Sequence, residues 1–232
     1  MEAFYYKALR SMVIRKFGLE IKELEREDLE LIRQYRNTES IKKRMIYKSQ
    51  ITREQHLKWF EEILSIRHFY FLIYKNDVAL GLINGKNINF EEGSSEGGIF
   101  VWNEDRNYET SITASIILND WNFLVNGFQI NYAQVLKSNK KAIAYNEFMG
   151  YKIDTKQHDN PEVVWMSQSK EDYLQYRDKI QKLSFEDFNI TERVTEDDVF
   201  FQKSELSRAK VFVEKLPLKQ KEVYQRILNR AT

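Results

Sequence analysis

Apolar and charged positions alternate from Gly18 to Leu24 (GLEIKEL), the two-residue period of a half-buried strand. From Asp28 to Tyr35 (DLELIRQY) the apolar spacing lengthens to helical intervals. A second helix is predicted to open at Thr52, where Thr52 and Gln55 form a T-x-x-Q capping box and Leu57, Phe60 and Leu64 then share a face. Phe69 to Tyr74 (FYFLIY) has the aromatic and β-branched content of a strand, and Asn76-Asp77 predicts a tight turn into another over Val78 to Asn84. Glu96 to Trp102 (EGGIFVW) predicts a strand in which Gly97 and Gly98 permit a bulge or a close backbone approach. The longest helical pattern runs from Ser111 to Val125 and stops at Asn126-Gly127. Ile130 to Leu136 alternates as a strand, Lys140 to Met149 is a short helix closed by Gly150, and Tyr151 to Asp154 and Val163 to Ser167 read as two last strands, compatible with a hairpin. Beyond residue 170 the pattern is helical: Asp172 to Leu183, then, after a charged stretch, about Gln202 to Leu216 and Lys219 to Asn229, parted by Pro217.

This order predicts an α/β (α+β) fold: a mixed, mostly antiparallel central sheet flanked by helices, with one parallel crossover through the helix at 111–125. Two regions are expected, residues 1–170 and a helical C-terminal extension, 171–232.

Composition narrows the function. With Lys+Arg at 36 and Asp+Glu at 35, the net charge of +1 leaves no electrostatic footprint for nucleic acid or a membrane surface as partner. Absence of cysteine excludes disulfide scaffolds, thiolate zinc sites, iron–sulfur clusters and cysteine nucleophiles. The 3 histidines include no His-x-x-x-His pair, so no metal site is expected. Neither a P-loop nor a G-x-G-x-x-G fingerprint occurs. No run approaches the roughly 20 apolar residues of a membrane span, and the first residues lack the apolar core of a secretory signal; the expectation is a soluble, cytoplasmic protein.

Several residues have chemistry to offer. His56 and Trp59, three apart on one helical face, can project together, the indole to stack on a flat ring and the imidazole to bind phosphate or take a proton. Arg36 can hold a phosphate in a bidentate grip. Asn139 is a favoured N-cap for the helix that follows it. Lys42-Lys43-Arg44 is a short basic run.

Three stretches have a family likeness. Asn139 to Tyr151 (NKKAIAYNEFMGY) follows a strand ending in VLKSN; Gly98 to Val125 is a strand–loop–helix unit; and Arg36-Asn37 is followed by ITREQHLKWFEE at Ile51 to Glu62. Over about residues 18–167 the chain resembles the GNAT N-acetyltransferase superfamily. The third stretch is similar to a narrower branch that acetylates amino groups of nucleotide-linked sugars, as in pseudaminic acid biosynthesis.

The resemblance implies acetyl-CoA as co-substrate and direct attack by the primary amine of a small molecule. It places acetyl-CoA in a V-shaped opening between the strand holding Phe100 and Val101 and the strand from Tyr132 to Leu136, with backbone donors near Val101 for the oxyanion. The diphosphate would meet the amides of Ser111, Ile112, Thr113 and Ala114, and Asn139 would lie by the pantetheine arm. Glu96 is implied as the group that deprotonates the ammonium, Tyr145 and Asn146 as contacts of the thiol, and Arg36, Asn37, His56 and Trp59 as the acceptor side. The sequence departs from the family at two points. Ser111 and Thr113 stand where its phosphate loop has glycines, and the tyrosine of its acid position is one residue early, at Tyr145, leaving Asn146 at the usual place. Two other functions fit the same motifs: a noncatalytic scaffold whose tail helices serve a partner, and acetylation of protein N-termini. The apolar spacing of Val211, Leu216, Val223, Ile227 and Leu228 is compatible with a homodimer.

Overall fold

The computed structural model describes residues 11–102, 107–155, 160–180 and 190–231, with side chains at 107–108 left aside. Its strands are β1 (Met12–Lys16), β2 (Leu19–Glu23), β3 (Phe69–Lys75), β4 (Val78–Asn89), β5 (Ser94–Val101), β6 (Ile130–Leu136), β7 (Lys152–Ile153), β8 (Val163–Ser169) and β9 (Val199–Phe201). The α-helices are α1 (Leu29–Arg36), α2 (Glu39–Lys42), α3 (Arg53–Ile63), α4 (Asn107–Asp120), α5 (Lys140–Phe148), α6 (Lys170–Ile180), α7 (Leu206–Glu214) and α8 (Leu218–Ala231). The strands form one sheet in the order β7-β8-β6-β5-β4-β3-β2-β1-β9. Every neighbouring pair is antiparallel except β5 and β6, which α4 joins by a crossover. The expected architecture is therefore present.

Strand alternation sorts the core into two layers. Phe69, Phe71 and Ile73 of β3, with Ile99 and Val101 of β5 and Ala133 and Val135 of β6, face α4 and the C-terminal helices. Tyr70, Leu72 and Tyr74 of β3, with Leu82 and Phe100, face Leu29 and Ile32 of α1 and Phe60 and Ile63 of α3. α3 starts where the capping box predicts: Thr52 accepts from the Gln55 amide at 3.2 Å and Gln55 accepts from the Thr52 amide at 2.9 Å.

Local chemistry explains where the expectations differ. β1, unforeseen, is returned by Phe17 and Gly18, both at positive φ (53° and 76°), the pair of left-handed residues a two-residue hairpin turn needs. The central helix begins at Asn107, not Ser111, and its final turn, Trp121–Val125, is π-helical. The tail, read as helices with a charged stretch between them, also supplies β9 on the outer edge of β1.

That tail packs on its own chain. Asp120 at the end of α4 is fully buried; it accepts from the Tyr173 hydroxyl (2.6 Å) and the Val194 amide (3.0 Å) and lies 3.5 Å from the equally buried Arg177. Phe212 of α7 meets Phe69 edge-on at 5.8 Å and Tyr224 of α8 at 5.4 Å. Leu216, Ile227 and Leu228 are buried and Val211 and Val223 pack against the same core. The apolar spacing that pointed to a homodimer is thus consumed within the chain.

Candidate active site

β5 and β6 pair from Ser94 with Ile130 to Gly97 with Ala133, and there the ladder ends, although β5 continues to Val101 and β6 to Leu136. Past that rung the two strands present backbone N–H and C=O groups to each other without bonding, a state that requires another partner. A cavity of about 870 Å³ opens at this point and runs from α1 and α3 on one face of the sheet to α4 and α5 on the other.

On the α1/α3 face the cavity wall is polar. Glu96, 5% exposed, is held by three donors: Lys86 Nζ (2.8 Å), Gln134 Nε2 (3.0 Å) and Asn87 Nδ2 (2.9 Å). A bulge in β4 between Lys86 and Asn89, with Asn87 at φ 52°, delivers two of these donors. His56, 5% exposed, stacks on Trp59 (4.9 Å, 10° between planes), and Trp59 meets Tyr70 edge-on. Burial, countered in part by a hydrogen bond to the Leu29 backbone, lowers the His56 pKa, so the ring is neutral in the folded protein at neutral pH. Its Nδ1 has no partner among the described residues, and neither has Asn84 Nδ2 or Arg36 Nη1. All three residues line the cavity. Burial also pulls the Arg36 guanidinium below its ordinary pKa, and its second nitrogen donates to the Tyr47 carbonyl at 2.7 Å.

On the α4/α5 face, Asn139 caps α5, accepting from the Ala142 amide at 3.2 Å, and its Nδ2 reaches the Arg44 carbonyl at 3.5 Å. Tyr145 donates to the Ser111 carbonyl (2.9 Å) and lies 2.8 Å from the Ser115 hydroxyl. Asn146 donates to the Ala142 carbonyl of its own helix at 2.8 Å. Tyr151, just past the α5 C-terminus, also lines the wall.

The fold thus brings together most residues singled out from sequence: Arg36, His56, Trp59, Glu96, Phe100 and Val101, and, across the opening, Ser111, Asn139, Tyr145 and Asn146. Four lie elsewhere. Asn37 does not line the cavity; its side chain bonds both backbone groups of Ile51 (2.9 and 2.8 Å) and so anchors the loop between α2 and α3. Ile112, Thr113 and Ala114 are buried within α4. Their amides stand beyond its first turn and belong to the helix ladder; the free amides of a helix are those of its first turn, which here begins at Asn107. The expectation that Ser111 to Ala114 grip a diphosphate is corrected accordingly: Ser111 offers the cavity wall its side chain, not a free amide.

Sequence reasoning passed over Asn84, Lys86, Gln134 and Tyr151. The sign of the first two was present in the alternation of VALGLINGK, which carries Leu82, Asn84 and Lys86 on one face; nothing in the sequence set Gln134 and Tyr151 beside them. Among the described residues no cluster of His, Asp and Glu is placed to hold a metal ion, and no helix is long and apolar enough to cross a membrane.

A mixed sheet parted at its one parallel pair, with a polar cavity through the gap, defines a transferase fold of the acyl-transfer kind expected from the motifs. The model of the acetyltransferase (GNAT) domain matches residues 21–163, and the chain belongs to that family of acetyltransferases. Its fold is similar to spermidine N-acetyltransferase from Vibrio cholerae in complex with CoA and spermine (TM-score 0.57, 21% identity, 68% of this chain and 98% of that one). It is similar also to the dodecameric form of the Vibrio cholerae enzyme (TM-score 0.54, 21% identity, 68% and 96% coverage). The comparison with curated proteins returns no match.

Proposed function

We propose that this chain transfers acetyl from acetyl-CoA to the primary amine of a small, anion-bearing molecule such as a nucleotide-linked amino sugar. The observation that carries the reading is the parting of β5 and β6 beyond Gly97 and Ala133 into the cavity. Unbonded strand edges there fit a pantetheine arm, which carries amide groups of its own, and the first turn of α4 fits the diphosphate through free amides and the helix dipole. Backbone N–H groups of β5 near Val101 polarise the thioester carbonyl, and Glu96 receives the proton the amine must lose, directly or through water.

The charge of the cavity favours an anionic acceptor. Among the described residues Glu96 is the only acid in its wall and is paired with Lys86, whereas Arg36, Arg44 and Lys141 are cations of the same wall. A polyamine like the spermine bound by the Vibrio cholerae protein would meet further cations here. A phosphate would instead satisfy the partnerless Arg36 Nη1, with Trp59 available to a sugar or base face.

Calorimetric titration with acetyl-CoA, followed by an assay of CoA thiol release with a nucleotide-linked amino sugar and with spermidine, tests both parts. Binding of acetyl-CoA and faster turnover of the anionic acceptor are expected. No heat at millimolar acetyl-CoA overturns the transfer reading; preferential use of spermidine overturns the acceptor reading alone.

A further inference from the structure

We propose that Asn84 is a specificity-determining residue on the acceptor side of the cavity: its side-chain amide binds a hydroxyl on the carbon next to the one that bears the amine. The acceptor is then a vicinal amino alcohol, as an amino sugar is. The inference rests on the acetyl-transfer reading above and deepens it, from an anion-bearing amine to the substituent beside that amine.

Sheet register sets the amide beside Glu96. On β4, Leu82, Asn84 and Lys86 share the face toward α1 and α3, and their partners on β5 are Phe100, Gly98 and Glu96. Asn84 therefore stands between the apolar floor of Leu82 and Phe100 and the Lys86–Glu96 ion pair (2.8 Å). Tyr70 of β3 flanks it on the other side. Asn84 and Glu96 are diagonal neighbours, about 7–8 Å apart at the backbone. Two hydrogen bonds of about 2.9 Å each, one to an amine and one to a hydroxyl on the adjacent carbon, span a gap of that order.

The amide is built into the wall and left without a partner. Asn84 is 8% exposed and lines the cavity, yet its Nδ2 has no hydrogen-bond partner among the described residues. A buried N–H in that state costs stability that an apolar side chain of the same shape would not lose. The adjoining strand gives up a side chain to make room for it. Gly98 is not at positive φ, and a β-carbon there would lie 2.9 Å from Asn84 Oδ1. The nearby carboxylate is served by other donors, since Glu96 accepts from Lys86, Gln134 and Asn87. An oxygen of the bound acceptor fits the vacant place on Nδ2. A hydroxyl beside the amine supplies that oxygen while the amine itself faces Glu96. A polyamine, with a methylene beside each amine, leaves the amide unpaired.

The test compares two acceptors with the full chain and acetyl-CoA: a UDP-linked amino sugar with a hydroxyl on the carbon beside its amine, and the deoxy analogue that lacks only that hydroxyl. Wild type is expected to prefer the first by about 10–100-fold in kcat/KM, the effect of leaving a buried donor unpaired. Asn84→Leu, close in shape but without the amide, is expected to erase the preference by lowering the hydroxylated acceptor to the level of its analogue. Its KM for acetyl-CoA should be unchanged and its melting point no lower than that of wild type. Asn84→Ala, which removes the amide without adding bulk, is expected to erase the preference too. Equal use of the two acceptors by wild type, a preference kept in both variants, or a loss shared equally by the two acceptors overturns the proposal, the last marking a purely structural amide. Turnover of neither acceptor by wild type strikes the anionic-acceptor reading instead.

Discussion

Replacing Glu96 by glutamine separates two things this carboxylate does. Three of its four lone-pair sites are occupied, by Lys86, Gln134 and Asn87. In Glu96→Gln one oxygen remains an acceptor, but the new amide turns N–H groups toward a neighbour that also donates. A hydrogen bond to a charged group is worth about 1.5–3 kcal/mol. The Lys86 contribution is discounted because that side chain is 34% exposed, where ion pairs count for up to about 1 kcal/mol. The sum is a loss of about 2–3 kcal/mol, which for a chain of this size lowers Tm by about 4–12 °C. If Glu96 also accepts the amine proton, turnover at neutral pH falls by about 10²–10⁴. The loss recovers as pH rises toward the pKa of the free amine, which then deprotonates unaided. Lys86→Met is the companion: it keeps the carboxylate and its other two donors, so it costs about 1 kcal/mol or less and leaves turnover within tenfold. Scanning calorimetry and thiol release from acetyl-CoA measured against pH read the two effects. A Glu96→Gln melting point equal to that of wild type refutes the network argument. A neutral-pH rate reduced less than tenfold, with the melting point lowered as expected, refutes the proton-acceptor role.

Two further outcomes follow from the geometry. Gly81→Ala places a β-carbon 2.7 Å from the Phe100 carbonyl oxygen and 3.1 Å from Val101 Cα, both backbone atoms that must move, whereas a β-carbon at Gly85 meets nothing within 4 Å; Gly81→Ala is expected to cost about 1–3 kcal/mol and to weaken acetyl-CoA binding by shifting the β5 wall, Gly85→Ala to do neither, and equal urea midpoints for the two variants would contradict the packing argument. The His56 pKa is lowered in the folded state by burial, so the unfolded chain binds the extra proton: stability is full above about pH 6.5, the unfolded value, and falls as pH drops through it toward the folded value. Urea unfolding of wild type and His56→Gln across this range should show the variant lacking that slope, and parallel pH curves would count against a buried neutral ring.

Much of the site was legible because it rests on local signals. Asn139 caps a helix through its own side chain, and Thr52 and Gln55 close a capping box within four residues, so both helix starts follow from neighbours in sequence. His56 and Trp59 share a face because a helix turns in 3.6 residues. The strands β3 to β6 carry a two-residue period that sorts Phe100 to one layer and Val101 to the other. The start of α4 was placed late because Ser111 to Val125 is its apolar part, whereas the helix extends back to Asn107 through polar residues.

What the sequence determined by itself is the order of the main elements from β2 to β8, the crossover at one parallel pair and the family, since periodicity, caps and motif spacing are properties of neighbouring residues. Only the tertiary structure decided that β5 and β6 part after Gly97, that Lys86, Asn87 and Gln134 converge on Glu96, that Tyr145 bonds Ser111 across the opening, and that the tail adds a strand and seals the core on its own chain. Those outcomes depend on which side chains, up to a hundred residues apart, compete for the same partner, and no local pattern encodes the winner of that competition.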